Sequence, residues 1–265
     1  VSTRVLAVAN QKGGVGKTTT CVNLAASLAA MKRRVLLIDL DAQGNATTAS
    51  GINKNELSAT AYEVLTQRQP IDAVVKRSSG GYTVLPANGD LTAAEIELIG
   101  EIGREYRLRK ALAEYKKQFD FVLIDCPPSL NMLTLNGLAA ADGLIIPMQC
   151  EFFALEGLAA LINTIEQIQE TVNPNLKVEG VLRTMFDPRN SLARDVSRQL
   201  IQYFGNSVYR AIIPRNVRLA EAPSHGLPVL KYDRQSKGTI AYLALAGEMI
   251  RRAKERARPV TAEVS

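Results

Sequence analysis

Residues 10–20 read NQKGGVGKTTT. The stretch fits the phosphate-loop pattern GxxxxGK(S/T) except at its first glycine, where the chain has Gln11 followed by a second lysine, Lys12. Backbone N–H groups of a turn built on Gly13, Gly14 and Gly16 converge on phosphate oxygens, and the N-terminus of a following helix adds favourable partial charge. Lys17 has the reach to meet β- and γ-phosphates, and the Thr18 hydroxyl suits a Mg²⁺ ligand. Gln11, Lys12, Val15 and Thr19 complete the loop. A magnesium nucleotide also needs acids nearby. FVLIDCPPS supplies Asp125, a candidate for holding the Mg²⁺ water shell, and LLIDLDAQGNAT supplies Asp39 and Asp41, either of which can position an attacking water. Each aspartate can instead cap the turn that follows it, but three acids at strand ends, on the edge that carries the loop, favour the nucleotide reading.

These residues need strands to hold them. The apolar runs at 4–10, 34–40, 119–126, 143–149 and 178–185 have the length and branched-residue content of buried parallel strands. Helical periodicity marks 17–31, 104–117, 129–141 and 153–172, with a last helix around 237–257 whose final cations suit the helix dipole. This alternation predicts an α/β fold: a doubly wound, mostly parallel sheet with helices on both faces and ligands at the carboxyl ends of its strands. Residues 44–103, rich in Gly, Asn, Thr and Ser, read as an elaborated crossover with short helical pieces. The expected organisation is one domain over 1–258 and a flexible tail over 259–265.

Composition narrows the chemistry. The 265 residues are 46% hydrophobic and 22% charged, as in ordinary globular proteins. No apolar run approaches the roughly 20 residues that cross a bilayer, and the N-terminus lacks the pattern of a secretory signal, so a cytosolic protein is expected. Cys21, Cys126 and Cys150 lie far apart and read as buried hydrophobes rather than metal ligands or disulfides. A single histidine, His225, removes most metal-centre and Ser-His-Asp chemistries. The net charge of +6 is uneven: residues 183–265 carry 15 Lys+Arg against 7 Asp+Glu, and residues 1–182 carry 17 against 19. Such asymmetry points to a polyanionic partner.

KGGVGKTT, IDLDAQGNAT, LIDCPPSL, PMQCEFFALEGL and IPRNVRLAEAPSHGLPV together resemble the ParA/Soj family of chromosome- and plasmid-partition ATPases, within the deviant Walker A class of P-loop NTPases that also holds MinD. The likeness runs from about residue 4 to residue 250. It implies an ATP- and Mg²⁺-dependent ATPase in which two ATP-bound copies face each other and Lys12 crosses to the partner's phosphates. A cation lent in this way stabilises the charge that develops on the γ-phosphate, as an arginine finger does. By the same resemblance Asp41 orients the hydrolytic water, Asp39 is a supporting acid near the metal, Asp125 is the Walker B aspartate, and Pro214 and Asn216 lie on the base side.

The family context also implies that dimerisation switches on sequence-independent binding of double-stranded DNA. The candidate cations are Arg189, Arg194, Arg198, Arg215, Arg218, Lys231, Arg234 and Lys237. Few aromatics accompany them, which argues against stacking on single strands, and the first strand begins by Arg4, which argues against a preceding operator-binding extension. A ParB-type protein is the implied partner that stimulates hydrolysis and releases the ATPase, and a nucleoid-associated, cytoplasmic location follows. The alternative, a MinD-like membrane-cycling regulator, needs bulky apolar residues opposite the cations of its last helix, and RRAKERARPVTAEVS has none. An iron–sulfur reductase on the same fold needs paired thiolates that Cys126 and Cys150 do not offer.

Overall fold

The computed structural model describes residues 2–257, so the expected tail at 259–265 lies outside the described residues. Among the described residues seven strands form one sheet: β1 (Arg4–Val8), β2 (Val35–Asp39), β3 (Lys76–Arg77), β4 (Thr83–Leu85), β5 (Phe121–Asp125), β6 (Gly143–Gln149) and β7 (Lys177–Thr184). Their order is β3-β4-β2-β5-β1-β6-β7, and only the β3–β4 pair is antiparallel.

The central strands β1, β2 and β5 are apolar at successive positions because both faces are covered. In β1, Val5 and Ala7 enter one core layer and Leu6 and Val8 the other; β2 and β5 divide in the same way. Each fully buried Leu, Ile or Val contributes about 1.5–3 kcal/mol relative to exposure. One face is covered by helices including Arg107–Tyr115, Met132–Ala140, Ala154–Thr171 and Ser191–Phe204, and the other by α1 (Lys17–Ala30) and the helix Lys237–Ala257. A buried hydrogen bond between the Thr20 and Tyr242 hydroxyls, 3.1 Å long, ties these last two together.

The structure also shows elements that the sequence pattern left unassigned. Residues 44–103 contain β3 and β4 as well as short helices, and Ser191–Phe204 is a 14-residue helix capped by Asn190, whose side chain accepts from Ala193 N–H. Sheet register places the chemistry. Asp39 and Asp125 stand side by side as the last residues of the paired strands β2 and β5, and Val8 aligns with Asp125 across the β1–β5 pair. β1 ends there while β6 runs on to Gln149, and the Asn10 amide donates to the carbonyl of Pro147 at 2.8 Å. The loop that leaves β1 is therefore anchored to its neighbour at its first turn.

Candidate functional site

Three features shape the 9–16 loop. Gly14 and Gly16 adopt φ of 72° and 88°, left-handed values that a side chain disfavours. Asn10 accepts from Lys12 N–H at 3.0 Å, and Thr184, at the end of β7, donates its hydroxyl to Val15 O at 2.8 Å. A Cβ added at Gly13 or Gly14 would meet nothing within 4 Å, so the glycines hold open a cradle at the start of α1. Lys17, in the first turn of α1, is only 7% exposed and donates to Lys12 O at 3.1 Å. Burial lowers its pKa, and Asp125 and then Asp41 oppose that shift.

The three carboxylates stand in different surroundings. Asp125 is 1% exposed, and its Oδ2 is buried without a hydrogen-bond donor. Burial, then the neighbouring Asp39 charge, push its pKa up. Asp39 is also fully buried, which raises its pKa, but both its oxygens are engaged: Oδ2 accepts from Thr47 N–H at 2.9 Å and the Thr47 hydroxyl at 2.7 Å, and Oδ1 from Asp41 N–H at 3.1 Å. Asp39 thus holds the turn on which Asp41 stands. Asp41 itself is partly exposed, and its Oδ1 accepts from Gln43 N–H at 2.9 Å.

A cleft of about 630 Å³ opens at this edge, lined by Gly13, Gly14, Gly16, Lys17, Thr18, Thr19 and Asp41 on one side and by the segment from Ile213 to Ala220 on the other. Pro214 and Asn216 both face it, and Asn216 also caps the helix Val217–Glu221 by accepting from Leu219 N–H. The sequence reading missed further lining residues: Asn45, Pro128, Thr184, Met185 and Tyr242. Pro128 follows Asp125 closely enough to have been suspected, whereas Thr184 and Tyr242 come from distant segments that only the fold brings near. Met185 has φ of 48°, a left-handed conformation that is costly for a non-glycine residue and here sits on the cleft wall.

Lys12 does not point into this cleft. Its ammonium pairs with Glu151 of the same chain, and both side chains are about half exposed. Gln11 is exposed and its amide lies 3.4 Å from the Thr164 hydroxyl. Beside Glu151, Phe152 and Phe153 are 74% and 69% exposed and stack edge to face with each other.

The predicted cations fall into two groups. Arg189 makes a bidentate pair with Asp187, Arg198 pairs with Asp195, Arg218 pairs with Glu221 and Asp233, and Arg194 donates to Pro188 O at 2.7 Å. Arg215, Lys231, Arg234 and Lys237 are exposed and form no ion pair among the described residues. Arg215, Arg218 and Lys237 line one shallow depression next to the nucleotide-side segment.

The donor set fits a magnesium nucleotide. Among the described residues no three His, Cys, Asp or Glu side chains gather to hold a metal alone. Mg²⁺ commonly takes one or two carboxylates and completes its shell with water and substrate phosphates, and the orphaned Asp125 Oδ2 behind the Thr18 turn is such a partial site. All three cysteines are buried, as their sequence context suggests.

Comparison with known proteins agrees. A family model described as an AAA domain matches residues 3–178. The chromosome partitioning protein ParA of Caulobacter vibrioides is 53% identical over 96% of this chain and 96% of its own. The sporulation initiation inhibitor protein Soj of Bacillus subtilis is 48% identical over 93% of this chain and 98% of its own. A crystal structure from Mycobacterium smegmatis, described as cobyrinic acid a,c-diamide synthase with bound ATP analog and magnesium, superposes with a TM-score of 0.84 at 43% identity, covering 96% of this chain and 97% of that one. With the phosphate loop, the paired strand-end aspartates and relatives of this identity along almost its whole length, the chain belongs to the ParA/Soj family of partition ATPases.

Proposed function

We propose that the protein is a Mg²⁺-dependent ATPase of DNA partition that pairs face to face when it binds ATP and holds double-stranded DNA of any sequence in that state. The observation that carries this reading is Asp125: a buried carboxylate with a donorless oxygen, next to a second buried carboxylate and beneath a glycine loop that opens α1. A divalent cation with a triphosphate satisfies that arrangement. The relative from Mycobacterium smegmatis with bound ATP analog and magnesium supports the same ligands here.

In this reading loop N–H groups and the α1 N-terminus bind the phosphates, and the Lys17 ammonium neutralises the β- and γ-oxygens. Thr18 and Asp125 hold the cation, which when bound offsets charge on the phosphate oxygens. Asp39 positions Asp41 through its bond to Asp41 N–H, and Asp41 orients the water that attacks the γ-phosphate, giving ADP and phosphate. Pro214 and Asn216 meet the base side.

Pairing supplies the remaining cation. Lys12 leaves Glu151, an exposed ion pair worth only about 0–1 kcal/mol, and enters the partner's site. The exposed Phe152 and Phe153 at the same edge support a face that becomes covered. Two copies then bring Arg215, Lys231, Arg234 and Lys237 together on DNA, where cations already paired with acids contribute less. A ParB-type protein stimulates hydrolysis and resets the cycle, on nucleoid DNA in the cytoplasm. No helix among the described residues is long and apolar enough to cross a membrane.

Phosphate release and retention on an arbitrary duplex, measured for wild type and Asp41→Ala, test the proposal. Wild type should turn over slowly with Mg²⁺, and Asp41→Ala should bind ATP, lose turnover at least about 100-fold and stay on DNA. Normal hydrolysis by Asp41→Ala would remove Asp41 from the mechanism.

A further inference from the structure

Arg183, near the end of β7, is a charged side chain that the proposed ATP cycle does not use, and it is only 6% exposed. Its Nη1 donates to the Ser197 hydroxyl at 2.9 Å, and its Nη2 to Tyr209 O at 2.8 Å and, at 3.5 Å, to Arg210 O. Among the described residues every hydrogen-bond partner it has is neutral, and its Nε has none.

The acid that balances it stands on the far side of those peptides. Glu248, 5% exposed on the helix Lys237–Ala257, accepts from Arg210 N–H with Oε1 and from Ala211 N–H with Oε2, both at 3.0 Å. The peptide groups Tyr209–Arg210 and Arg210–Ala211 therefore each turn their carbonyl oxygen to Arg183 and their N–H to Glu248. Both dipoles lie in the favourable direction between a buried cation and a buried anion. Burial works against the Glu248 charge, but the Ala211 and Arg210 N–H groups and Arg252 outweigh it and its pKa is lowered; at Arg183 burial outweighs Cys150 and Glu248, and the pKa falls.

The segment held in this way forms one wall of the cleft. Tyr209 N–H donates to Val181 O, Ile213 N–H to Arg183 O and Phe186 N–H to Ile213 O, so the chain runs beside β7 as far as Pro214, Arg215 and Asn216, which line the cleft. We infer that Arg183 and Glu248 are positioning residues for the nucleotide: holding opposite ends of the same two peptides, they fix where Pro214 and Asn216 stand and so set how tightly the base is bound. The phosphate side is held separately, through Thr184 and Val15 O. Losing Arg183 should therefore cost affinity gained from the base and spare affinity gained from the phosphates. The link to the base rests on the ATPase reading; the fixing of the segment does not.

Affinities for Mg²⁺–ATP and for Mg²⁺–tripolyphosphate, which has the phosphates without the base, separate the two walls. Wild type should bind ATP more tightly, and Arg183→Met should shrink that difference at least about fivefold, because contact groups misplaced by a fraction of an ångström lose such factors. Tripolyphosphate affinity should not change. Glu248→Gln should act in the same direction, and Arg183→Lys, which keeps a cation beside Tyr209 O, should recover most of the loss. Leu112→Ala, which opens a void under the helix Arg107–Tyr115, controls for lost stability alone and should keep the wild-type difference. Equal differences in wild type and Arg183→Met, a parallel loss of both ligands, or the same change in Leu112→Ala would overturn the inference. Amide exchange without nucleotide reads the segment itself: Arg210 and Ala211 N–H should exchange at least about tenfold faster in Arg183→Met than in wild type or Leu112→Ala, and unchanged exchange would also overturn it. Wild type that binds neither ligand, with exchange as expected, would sink the ATPase reading and leave the positioning standing.

Discussion

Asp39, Asp41 and Asp125 have the same side chain and three different surroundings, and those surroundings separate the roles we propose for them. Asp39 satisfies Thr47 and Asp41 N–H with both oxygens, so Asp39→Ala should strand buried donors and destabilise the fold by roughly 1–3 kcal/mol. Asp41→Ala should leave the melting temperature nearly unchanged. Asp125 differs again: Cys21 Sγ donates to its Oδ1 at 3.6 Å, and its Oδ2 is buried without a donor. Raised carboxyl pKa values mean that the native state keeps protons the unfolded chain has released, so nucleotide-free stability falls as pH rises above the ordinary carboxylate range. Asp125→Asn should flatten that slope and raise the nucleotide-free midpoint by roughly 2–4 °C, about 1 kcal/mol in a chain of this size. The same change should erase the extra stabilisation that Mg²⁺ adds to ATP. Calorimetry across pH with and without Mg²⁺ checks both effects. The three aspartates were legible in the sequence as a group, because each closes an apolar run. Asp39's structural duty was not, because it depends on Thr47 folding back onto the strand end.

The elements show where pattern carries information and where it stops. β1, β2, β5, β6 and β7 were visible because parallel strands buried on both faces are continuously apolar. β3 and β4, only two and three residues long, have no such signature; β4 owes its place to pairing with β2, and β3 to pairing with β4 at the sheet edge. Ser191–Phe204 was missed although Ala193, Val196 and Leu200 are buried at helical spacing, because Leu192, Ile201 and Tyr203 stand exposed among its polar residues and blur the pattern. Close packing between elements is equally invisible before folding. A Cβ at Gly180 in β7 would lie 2.5 Å from the Tyr209 ring, which is fully buried. Gly180→Ala should therefore cost about 1–3 kcal/mol by overpacking, read as a lowered urea midpoint. Because β7 ends at Thr184, which holds Val15 O, the same variant should also weaken ATP binding.

At the scale of the molecule, the pairing and DNA binding we propose are not visible in one chain. The phosphate loop was recognisable from its residues alone, but Lys12 bonds Glu151 in the isolated chain, and its assignment comes from family likeness and the charge a γ-phosphate develops. The basic C-terminal third was legible as a composition, and the structure sorts its cations by whether an acid or, for Arg194, a backbone carbonyl already holds them. Arg215→Ala with Lys237→Ala should weaken retention on duplex DNA and reduce its salt dependence by roughly two counterions. Arg189→Ala, which removes a cation already bound to Asp187, should do less. Both effects should hold across unrelated sequences, checked by binding isotherms over a salt series.

Light scattering on gel-filtered protein tests the central claim most directly, comparing Asp41→Ala with Lys12→Ala in the Asp41→Ala background, each with Mg²⁺ and either ATP or ADP. The account predicts a dimer only for Asp41→Ala with ATP, and monomers in every other combination. A dimer of equal stability without Lys12, or no ATP-dependent dimer at all, would contradict it.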